Sequence, residues 1–233
     1  MTDKSKTIRE TIDRIKTVEK QVFELRALGV PKQYGKDVTV AGFYRDYDRL
    51  AEDATKLDDV GAKGIYIVLN PVHEDLLCYS PNQLVESPEH TTRDVDVLKR
   101  TWLYIDVDPV RRADISANDA ELSIARDRAK KVEAYMKKET GAEPDIVAFS
   151  GNGYHLLYRI DLPNTDASTT TVKARLDRLS LIFSDNAVTI DTSVFNAARI
   201  CKLYGTMARK GFSVPSIGRI HRVSRILQTG GVK

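Results

Sequence analysis

Two aspartates separated by one residue, Asp106 and Asp108, are the side chains in this sequence whose spacing most directly suggests chemistry. They follow the apolar residues 102–105, which predict a buried strand, and they precede Pro109, which cannot continue a central strand. Side chains alternate along a strand, so both carboxylates point the same way. Because they lie about 7 Å apart, they repel each other unless a cation sits between them. Oxygen ligands suit Mg²⁺ or Mn²⁺, so we predict a metal site at the rim of a sheet, with a solvated turn as the alternative.

A third carboxylate, Asp191, also ends a short apolar strand, predicted over residues 188–190. It would complete a site in which two divalent ions hold the attacking and the leaving oxygen of a phosphoryl or nucleotidyl transfer. The alternative is structural, because an aspartate at this place can also cap the segment 192–198.

The stretch Ser150-Gly151-Asn152-Gly153-Tyr154-His155 predicts a tight turn followed by a returning strand. Two glycines one residue apart let the backbone approach a ligand closely, and free N–H groups in such a turn bind phosphate oxygens. Ser150 adds a hydroxyl. His155 could donate to the same anion and hold a proton near neutral pH, although a lone histidine on a strand is often purely structural.

The C-terminal part of the chain is basic although the net charge of the whole chain is only +3. From Thr192 onward there is no Asp or Glu, which points to an anionic partner such as phosphate or, alternatively, to a merely basic surface. Arg199 and Lys202 would share a face if their segment is helical, and together they could bind a triphosphate. The basic residues of this segment are Arg199, Lys202, Arg209, Lys210, Arg219, Arg222, Arg225 and Lys233.

The elements that must position these residues follow from hydrophobic periodicity and turn chemistry. The sequence predicts an α+β protein in which a strand, a helix, a hairpin, a helix and a strand follow one another from residue 101 to 191, as in an RRM-like sheet with helices on one face. Predicted helices cover about 5–20, 47–57 and 167–183, and a further helix, capped by Ser116 or Asn118, runs to about residue 139. Predicted strands cover 38–43, 65–69, 102–105, 146–149, 154–160 and 188–190.

Composition indicates an ordinary soluble globular protein, because 42% of the 233 residues are hydrophobic and 30% are charged. No apolar run approaches the roughly 20 residues that span a bilayer, and the N-terminus is not a secretory signal. The two cysteines, Cys78 and Cys201, are far apart, which disfavours a cysteine zinc cluster and predicts a reduced, cytoplasmic protein.

Together these motifs resemble the archaeo-eukaryotic primase superfamily, in the primase-polymerase branch carried by plasmids, phages and other mobile elements. The resemblance covers most of the chain and is strongest at residues 102–109, 150–158, 190–206 and 218–225. The family's Asp-x-Asp pair, Ser-x-His-type nucleotide motif and lone acid after a strand all occur here in the same order. One departure is that Ile220 stands where the family often has proline, before His221 and Arg222.

The resemblance implies a single catalytic domain over residues 1–233. An N-terminal α/β module, about 1–100, would pack on an RRM-like module, about 101–233, with the active site between them. Asp106, Asp108 and Asp191 would hold two Mg²⁺ or Mn²⁺ ions for a DNA primase or DNA polymerase. The implied partners are a single-stranded DNA template, a primer, nucleoside triphosphates, and a helicase or other replication or defence proteins. The implied nucleotide-binding residues are Ser150, Gly151, Asn152, Gly153, His155, Arg199, Lys202, His221 and Arg222.

Two other classes of function remain open at the level of sequence. Asp106-Val107-Asp108-Pro109-Val110 also fits the nucleophile motif of metal-dependent phosphatases, and Asp-x-Asp recurs in glycosyltransferases. The phosphatase interpretation expects a further acidic pair downstream, and none follows Asp191. A non-catalytic binder of single-stranded nucleic acid would need exposed aromatic side chains on adjacent strands, and it would leave three rim carboxylates unexplained.

Overall fold

The computed structural model describes residues 1–229, which fold into two five-stranded antiparallel sheets and four α-helices. The helices are α1 (Asp3–Ile15), α2 (Tyr47–Asp59), α3 (Asp119–Thr140) and α4 (Asp166–Phe183). None of the helices in this described part is long and apolar enough to cross a bilayer.

The first sheet is formed mainly by the N-terminal part of the chain, with α1 and α2 packed together beside it. Its order is β4-β2-β1-β3-β9, and the last strand comes from the C-terminal part of the chain. Residues 101–229 therefore contribute to both sheets. The strands are β1 (Phe23–Val30), β2 (Val38–Tyr44), β3 (Gly64–Val68), β4 (Val85–Glu86) and β9 (Ile200–Lys202).

The second sheet has the order β12-β6-β7-β5-β8, with α3 and α4 on one face. Its central strand pairs bring Asp106 opposite His155 and Val107 opposite Tyr154. A separate two-stranded ribbon is formed by β10 (Met207–Ala208) and β11 (Arg222–Val223). The strands of the second sheet are β5 (Lys99–Pro109), β6 (Ile146–Phe149), β7 (Tyr154–Pro163), β8 (Val188–Ile190) and β12 (Arg225–Thr229).

Local sequence signals account for most of these boundaries. Helix α3 begins at a capping box, in which Asn118 and Glu121 each bond the other's backbone N–H, and it ends at Gly141 in the left-handed conformation. One hydrophobic cluster joins both sheets, since it contains Ile67 of the first and Ile105 of the second. The indole of Trp102 donates a hydrogen bond to the Ile15 carbonyl at the end of α1, at 3.1 Å.

Two expectations about secondary structure differ from the structure. Residues 23–30 form the central strand β1, although the sequence pattern did not predict a strand there. The helical interpretation of the segment with Arg199 and Lys202 is wrong, because residues 200–202 pair with Val68, Ile67 and Tyr66 of β3. In both cases backbone pairing with distant strands overrides a weak local preference.

A buried ion network ties α1 and α2 to the ribbon. Asp58 is 3% exposed at its side chain and accepts hydrogen bonds from Lys4 Nζ at 2.9 Å, Arg209 Nη1 at 2.7 Å and the Met207 N–H at 2.9 Å. Burial acts to raise the pKa of Asp58, but these hydrogen bonds outweigh it and hold the pKa below its usual value. The carboxylate therefore stabilises the fold in its charged form.

We expect Asp58→Asn to lower the free energy of unfolding by about 2 kcal/mol at neutral pH, because charge-assisted hydrogen bonds are lost. Because the folded pKa is depressed, this stabilisation is present above the unfolded pKa, near 3.9, and is lost as the pH falls through the folded value. Urea unfolding at several pH values tests this. Asp59→Asn is the matched control, since Asp59 bonds the same lysine but is 62% exposed. Equal effects of the two substitutions would contradict the prediction.

Candidate active site

The two aspartates lie at the end of the strand β5, facing a cavity between the two sheets. Val107, between them, is fully buried on the opposite face of the strand. The cavity has a volume of about 260 Å³. Its walls include Gly64 and Tyr66 of β3 from the first sheet and Tyr104 of β5 from the second. The pair is therefore at a rim that is open to a ligand, as the alternation of the strand predicts.

Asp191 lines the same cavity from the end of the neighbouring strand β8. Its backbone N–H donates to the Asp106 carbonyl at 3.0 Å, which fixes the two strand ends against each other. Its carboxylate also accepts a hydrogen bond from the Ser193 N–H at 2.8 Å and caps the short 3₁₀ helix Thr192–Phe195. The capping and the cavity-facing roles therefore coexist in one residue.

Asp106 and Asp108 are held in an environment that penalises their charge. Burial, together with the charge of Asp191, raises the pKa of Asp106 to about 7. Burial and the charge of Asp106 raise the pKa of Asp108 to about 6. One oxygen of Asp106, Oδ1, is buried without a hydrogen-bond donor. A buried, repelling carboxylate pair with an orphaned oxygen is what a cation would relieve.

The side chains are not, however, gathered into a ready ligand set. Within residues 1–229 no group of three or more His, Cys, Asp or Glu side chains lies close enough together to hold a metal ion. Asp106, Asp108 and Asp191 nevertheless fit a divalent ion in donor chemistry, because all three offer carboxylate oxygens to one cavity. Their mutual repulsion favours separated side chains until a cation binds.

The turn after β6 is tighter than the sequence suggested. The Ser150 hydroxyl oxygen accepts hydrogen bonds from the N–H groups of Asn152, at 3.3 Å, and Gly153, at 2.9 Å. The expectation that these N–H groups are free for phosphate is therefore wrong, since they are satisfied within the turn. The Ser150 hydroxyl hydrogen remains a possible donor to a ligand, and both Ser150 and Asn152 line the cavity.

The two glycines of the turn are required by close approaches. At Gly151, φ is +105° and an added Cβ would lie 2.3 Å from the Ala208 Cβ. At Gly153, an added Cβ would lie 2.1 Å from Asp108 Oδ1 and 2.6 Å from the Val107 carbonyl oxygen. The role of Gly153 is therefore to make room for a carboxylate of the candidate metal site, a role that the sequence did not indicate.

His155 lines the cavity but is only 3% exposed. Its Nε2 lies 2.9 Å from the Tyr104 hydroxyl and 3.5 Å from Asp106 Oδ1, and its Nδ1 lies 2.8 Å from the Tyr204 hydroxyl. Burial lowers the pKa of His155 to about 4, so the expectation of a proton near neutral pH is wrong. The neutral ring links Asp106 to two buried tyrosines.

Arg199 and Lys202 both line the cavity. Lys202 belongs to the strand β9, and Arg199 immediately precedes that strand. Lys202 is 5% exposed, and its Nζ donates to the Met207 carbonyl at 2.8 Å. Burial lowers the pKa of Lys202 to about 7. Arg199 donates to the Ser193 carbonyl, beside the Asp191 cap. The pairing of β9 with β3 therefore places these two side chains at the cavity, and not the shared helix face that was expected.

Three further cations line the cavity and were missed by sequence reasoning: Lys63, Arg111 and Lys210. The charges of Lys210 and Arg199 act on Asp106, and the charges of Arg111 and Lys210 act on Asp108. Of these three residues, Arg111 could have been assigned to the site from the sequence, because it follows the Asp106–Pro109 motif by two residues. Lys63 and Lys210 come from distant segments that only the fold brings together.

His221 and Arg222 are not brought to this cavity. The ring of His221 contacts the Gly211 carbonyl through Nε2 at 2.8 Å. Arg222 donates to the Ala117 carbonyl and to Asp119 at the start of α3, at 2.6 and 2.7 Å. Arg222 belongs to the ribbon β10–β11, and its side chain points toward α3 because an acid and a free carbonyl are available there.

The basic segment is partly neutralised inside the protein. Arg209 pairs with Asp58, Arg219 with Glu121 at 2.6 Å, and Arg222 with Asp119. Acids of the first 191 residues therefore balance part of the excess charge that the sequence showed at the end of the chain. Lys233 lies outside the described residues.

Comparison with known proteins shows which fold the chain has, but it does not show a reaction. No protein-family model matches the chain, and no curated protein matches it. Among solved structures, the archaeo-eukaryotic primase domain of the cyanophage S-2L primase-polymerase is similar, with a TM-score of 0.50 and 14% identity over 97% of this chain and 91% of that one. The primase RepB′ is similar with a TM-score of 0.51 and 11% identity over 97% of this chain. This chain spans 56% of the RepB′ chain.

Proposed function

We propose that this chain, which has the fold of the archaeo-eukaryotic primases of mobile elements, catalyses template-dependent nucleotidyl transfer as a primase, a DNA polymerase or both. The observation that carries the proposal is the cavity between the sheets, which is lined by three strand-end carboxylates and five basic residues, of which Lys63 is ion-paired with Asp37 outside it. Carboxylates for divalent ions and cations for a triphosphate are the two parts that such a reaction needs. The core shared by both sheets supports a single catalytic domain over residues 1–233.

In the proposed reaction a 3′-hydroxyl oxygen attacks the α-phosphorus of a nucleoside triphosphate in line. The new O–P bond forms as the bond to pyrophosphate breaks, and the hydroxyl proton passes to water. Asp106, Asp108 and Asp191 would hold two Mg²⁺ or Mn²⁺ ions, which supply a lower pKa for the hydroxyl and charge stabilisation. Tyr104 and His155, hydrogen-bonded to each other, lie beside Asp106, with His155 Nε2 3.5 Å from its Oδ1.

The cations would bind the triphosphate and offset the charge that develops on pyrophosphate. Arg199 can fork two phosphate oxygens, and Lys210 is exposed at the cavity wall as a point charge. Lys202, whose pKa lies near 7, gains its proton when an anion arrives beside it. Nucleotide affinity should therefore fall as the pH rises above 7.

The rival functions are less well supported by the cavity. A phosphatase of the Asp-x-Asp type expects a further acidic pair, whereas Asp191 is the one additional carboxylate that lines the cavity within the described residues. A non-catalytic nucleic-acid binder would present aromatic side chains on the sheet. Trp102 and Tyr104, on the face that carries the carboxylates, are 4% and 6% exposed.

The deciding experiment measures synthesis on a single-stranded DNA template with nucleoside triphosphates, once with and once without a primer. With Mg²⁺ or Mn²⁺ we expect pyrophosphate release and oligomers complementary to the template, and with excess EDTA we expect neither. Extension only with a primer identifies a polymerase, and synthesis without one identifies a primase. The absence of any template-dependent product with either metal, either sugar type and either primer state would refute the proposed function.

A further inference from the structure

A second cavity lies outside the catalytic one, on the helix-covered face of the second sheet. It has a volume of about 370 Å³ and is bounded by the first turns of α3, by the edge strand β12 and by its neighbour β6. We call it the arginine groove, after Arg126, Arg222 and Arg225, which line it together with Phe149 and Tyr154. No residue of the groove lines the catalytic cavity.

The groove exists because α3 does not cover the edge of the sheet. Helix α3 packs over β5 and β7, whereas β12 lies two strands beyond β7, at the sheet's edge. Register places Arg225 opposite Phe149 and Phe149 opposite Tyr154, so these three side chains share one face. Leu227, further along β12, is 45% exposed in the same groove.

Two of the three arginines carry charge that the protein does not neutralise well. Arg225 has no carboxylate within ion-pair distance among residues 1–229, and its guanidinium lies 5.1 Å from the centroid of the Phe149 ring. The nearest acid to Arg126 is its exposed neighbour Asp127, at 3.9 Å. The third arginine of the groove, Arg222, is neutralised by its ion pair with Asp119. The groove therefore presents excess positive charge to solvent.

One aromatic ring, that of the partly exposed Tyr154, makes the groove more than a charged patch, whereas Phe149 is only 4% exposed and forms the floor beneath Arg225. The Phe149 and Tyr154 rings are 5.6 Å apart, and the Arg225 guanidinium packs over the former. Burial raises the pKa of Tyr154, while Arg126, Arg225 and Arg222 are close enough to act against that rise. The tyrosine hydroxyl is therefore a protonated hydrogen-bond donor among three guanidinium groups.

The arginine groove adjoins the catalytic cavity through the ribbon β10–β11. Ala208 lines the catalytic cavity and pairs in register with Arg222, which lines the groove. Gly151 fits tightly against this pair, since its added Cβ would lie 3.0 Å from the Arg222 carbonyl oxygen. A nucleic-acid strand that leaves the catalytic cavity across the ribbon β10–β11 therefore reaches the arginine groove directly.

We propose that the arginine groove binds a segment of single-stranded nucleic acid, with phosphates on Arg126 and Arg225 and a base against the partly exposed ring of Tyr154. Guanidinium groups fork phosphate oxygens, and single strands bind to positive grooves in which aromatic or guanidinium planes stack with bases. This inference rests on the proposed function, because the strand that it holds is the template outside the catalytic cavity.

The test measures the binding of a fluorescein-labelled single-stranded oligothymidylate to the full chain by fluorescence anisotropy at several salt concentrations. Arg126→Gln combined with Arg225→Gln removes two exposed charges. We expect binding to weaken by about tenfold or more at 0.1 M salt, and the slope of log affinity against log salt to fall by about 1.4, as for two lost phosphate contacts. Lys130→Gln with Lys131→Gln, two exposed lysines further along α3, is the matched control.

An equal loss of affinity in the lysine control would overturn the inference, because only overall charge would then matter. Unchanged binding by the arginine double variant, with circular dichroism showing an intact fold, would overturn it as well. A labelled oligoglutamate peptide is measured in parallel. If the arginine variant loses that peptide but keeps the oligonucleotide, the groove binds an acidic protein segment instead. Because binding is measured without synthesis, a failure here is distinguishable from a failure of the proposed catalysis.

Discussion

Replacing Asp106 and Asp108 together by alanine is expected to abolish template-directed synthesis, with a loss of at least about a thousandfold, because divalent ions contribute several kcal/mol to such reactions. The fold should survive, since the two half-buried carboxylates line a cavity wall and desolvation and charge repulsion raise their pKa values. Primer extension and thermal unfolding of the same preparation check both halves of the prediction. Undiminished synthesis by a folded double variant would rule out the site.

The matched control is Asp177→Asn, which removes an exposed aspartate from α4, far along the chain from the motif. It should leave synthesis unchanged, because the one carboxylate that it removes lies outside the cavity. A comparable loss in this variant would mean that net charge, and not the site, governs activity.

The single substitution Asp106→Asn separates metal binding from folding. The folded protein raises the pKa of Asp106 and so favours its protonated form. The contribution of Asp106 to stability is therefore fully present below the unfolded pKa, near 3.9, and is lost as the pH rises through about 7. At pH 8 in EDTA the variant should therefore melt at a higher temperature than the unsubstituted protein. Adding Mn²⁺ should stabilise only the unsubstituted protein. A variant that is less stable in EDTA would contradict this reasoning.

Replacing Gly153 by alanine is expected to lower the rate of synthesis by about a hundredfold, although the glycine touches no substrate. The new methyl group would lie 2.1 Å from Asp108 Oδ1 and 2.6 Å from a backbone carbonyl, so the carboxylate must move. Displacement of a reacting or ligand group by about 1 Å costs on the order of 10²-fold in rate. Single-nucleotide incorporation at saturating template and triphosphate measures the effect.

Gly141→Ala is the control for the general cost of losing a glycine. Gly141 ends α3 with φ at +72° and has open space around it, so the substitution costs about 1 kcal/mol of stability without moving the site. We expect it to lower the melting temperature while synthesis remains normal. Equal activity losses in both glycine variants would show that instability, and not displacement of Asp108, causes the effect.

The sequence by itself determined the elements whose signals are local. The alternation around Asp106 and Asp108, the start of α3 near its two candidate caps Ser116 and Asn118, and the turn at residues 150–153 each depend on a few neighbours. Such signals depend on side-chain direction and backbone hydrogen bonds, which nearby residues suffice to satisfy. The strand end that carries the carboxylate pair was predictable for this reason.

Only the tertiary structure decided which charges meet those carboxylates and which are neutralised. Lys210 reaches the cavity, whereas Arg222 turns away to Asp119, and no local pattern distinguishes the two. Burial, which depends on the whole packed core, removes the proton from His155. Strand pairing with β3 makes residues 200–202 extended. Contacts between distant segments and exclusion of water are properties of the assembled fold, and they set the electrostatics of the candidate site.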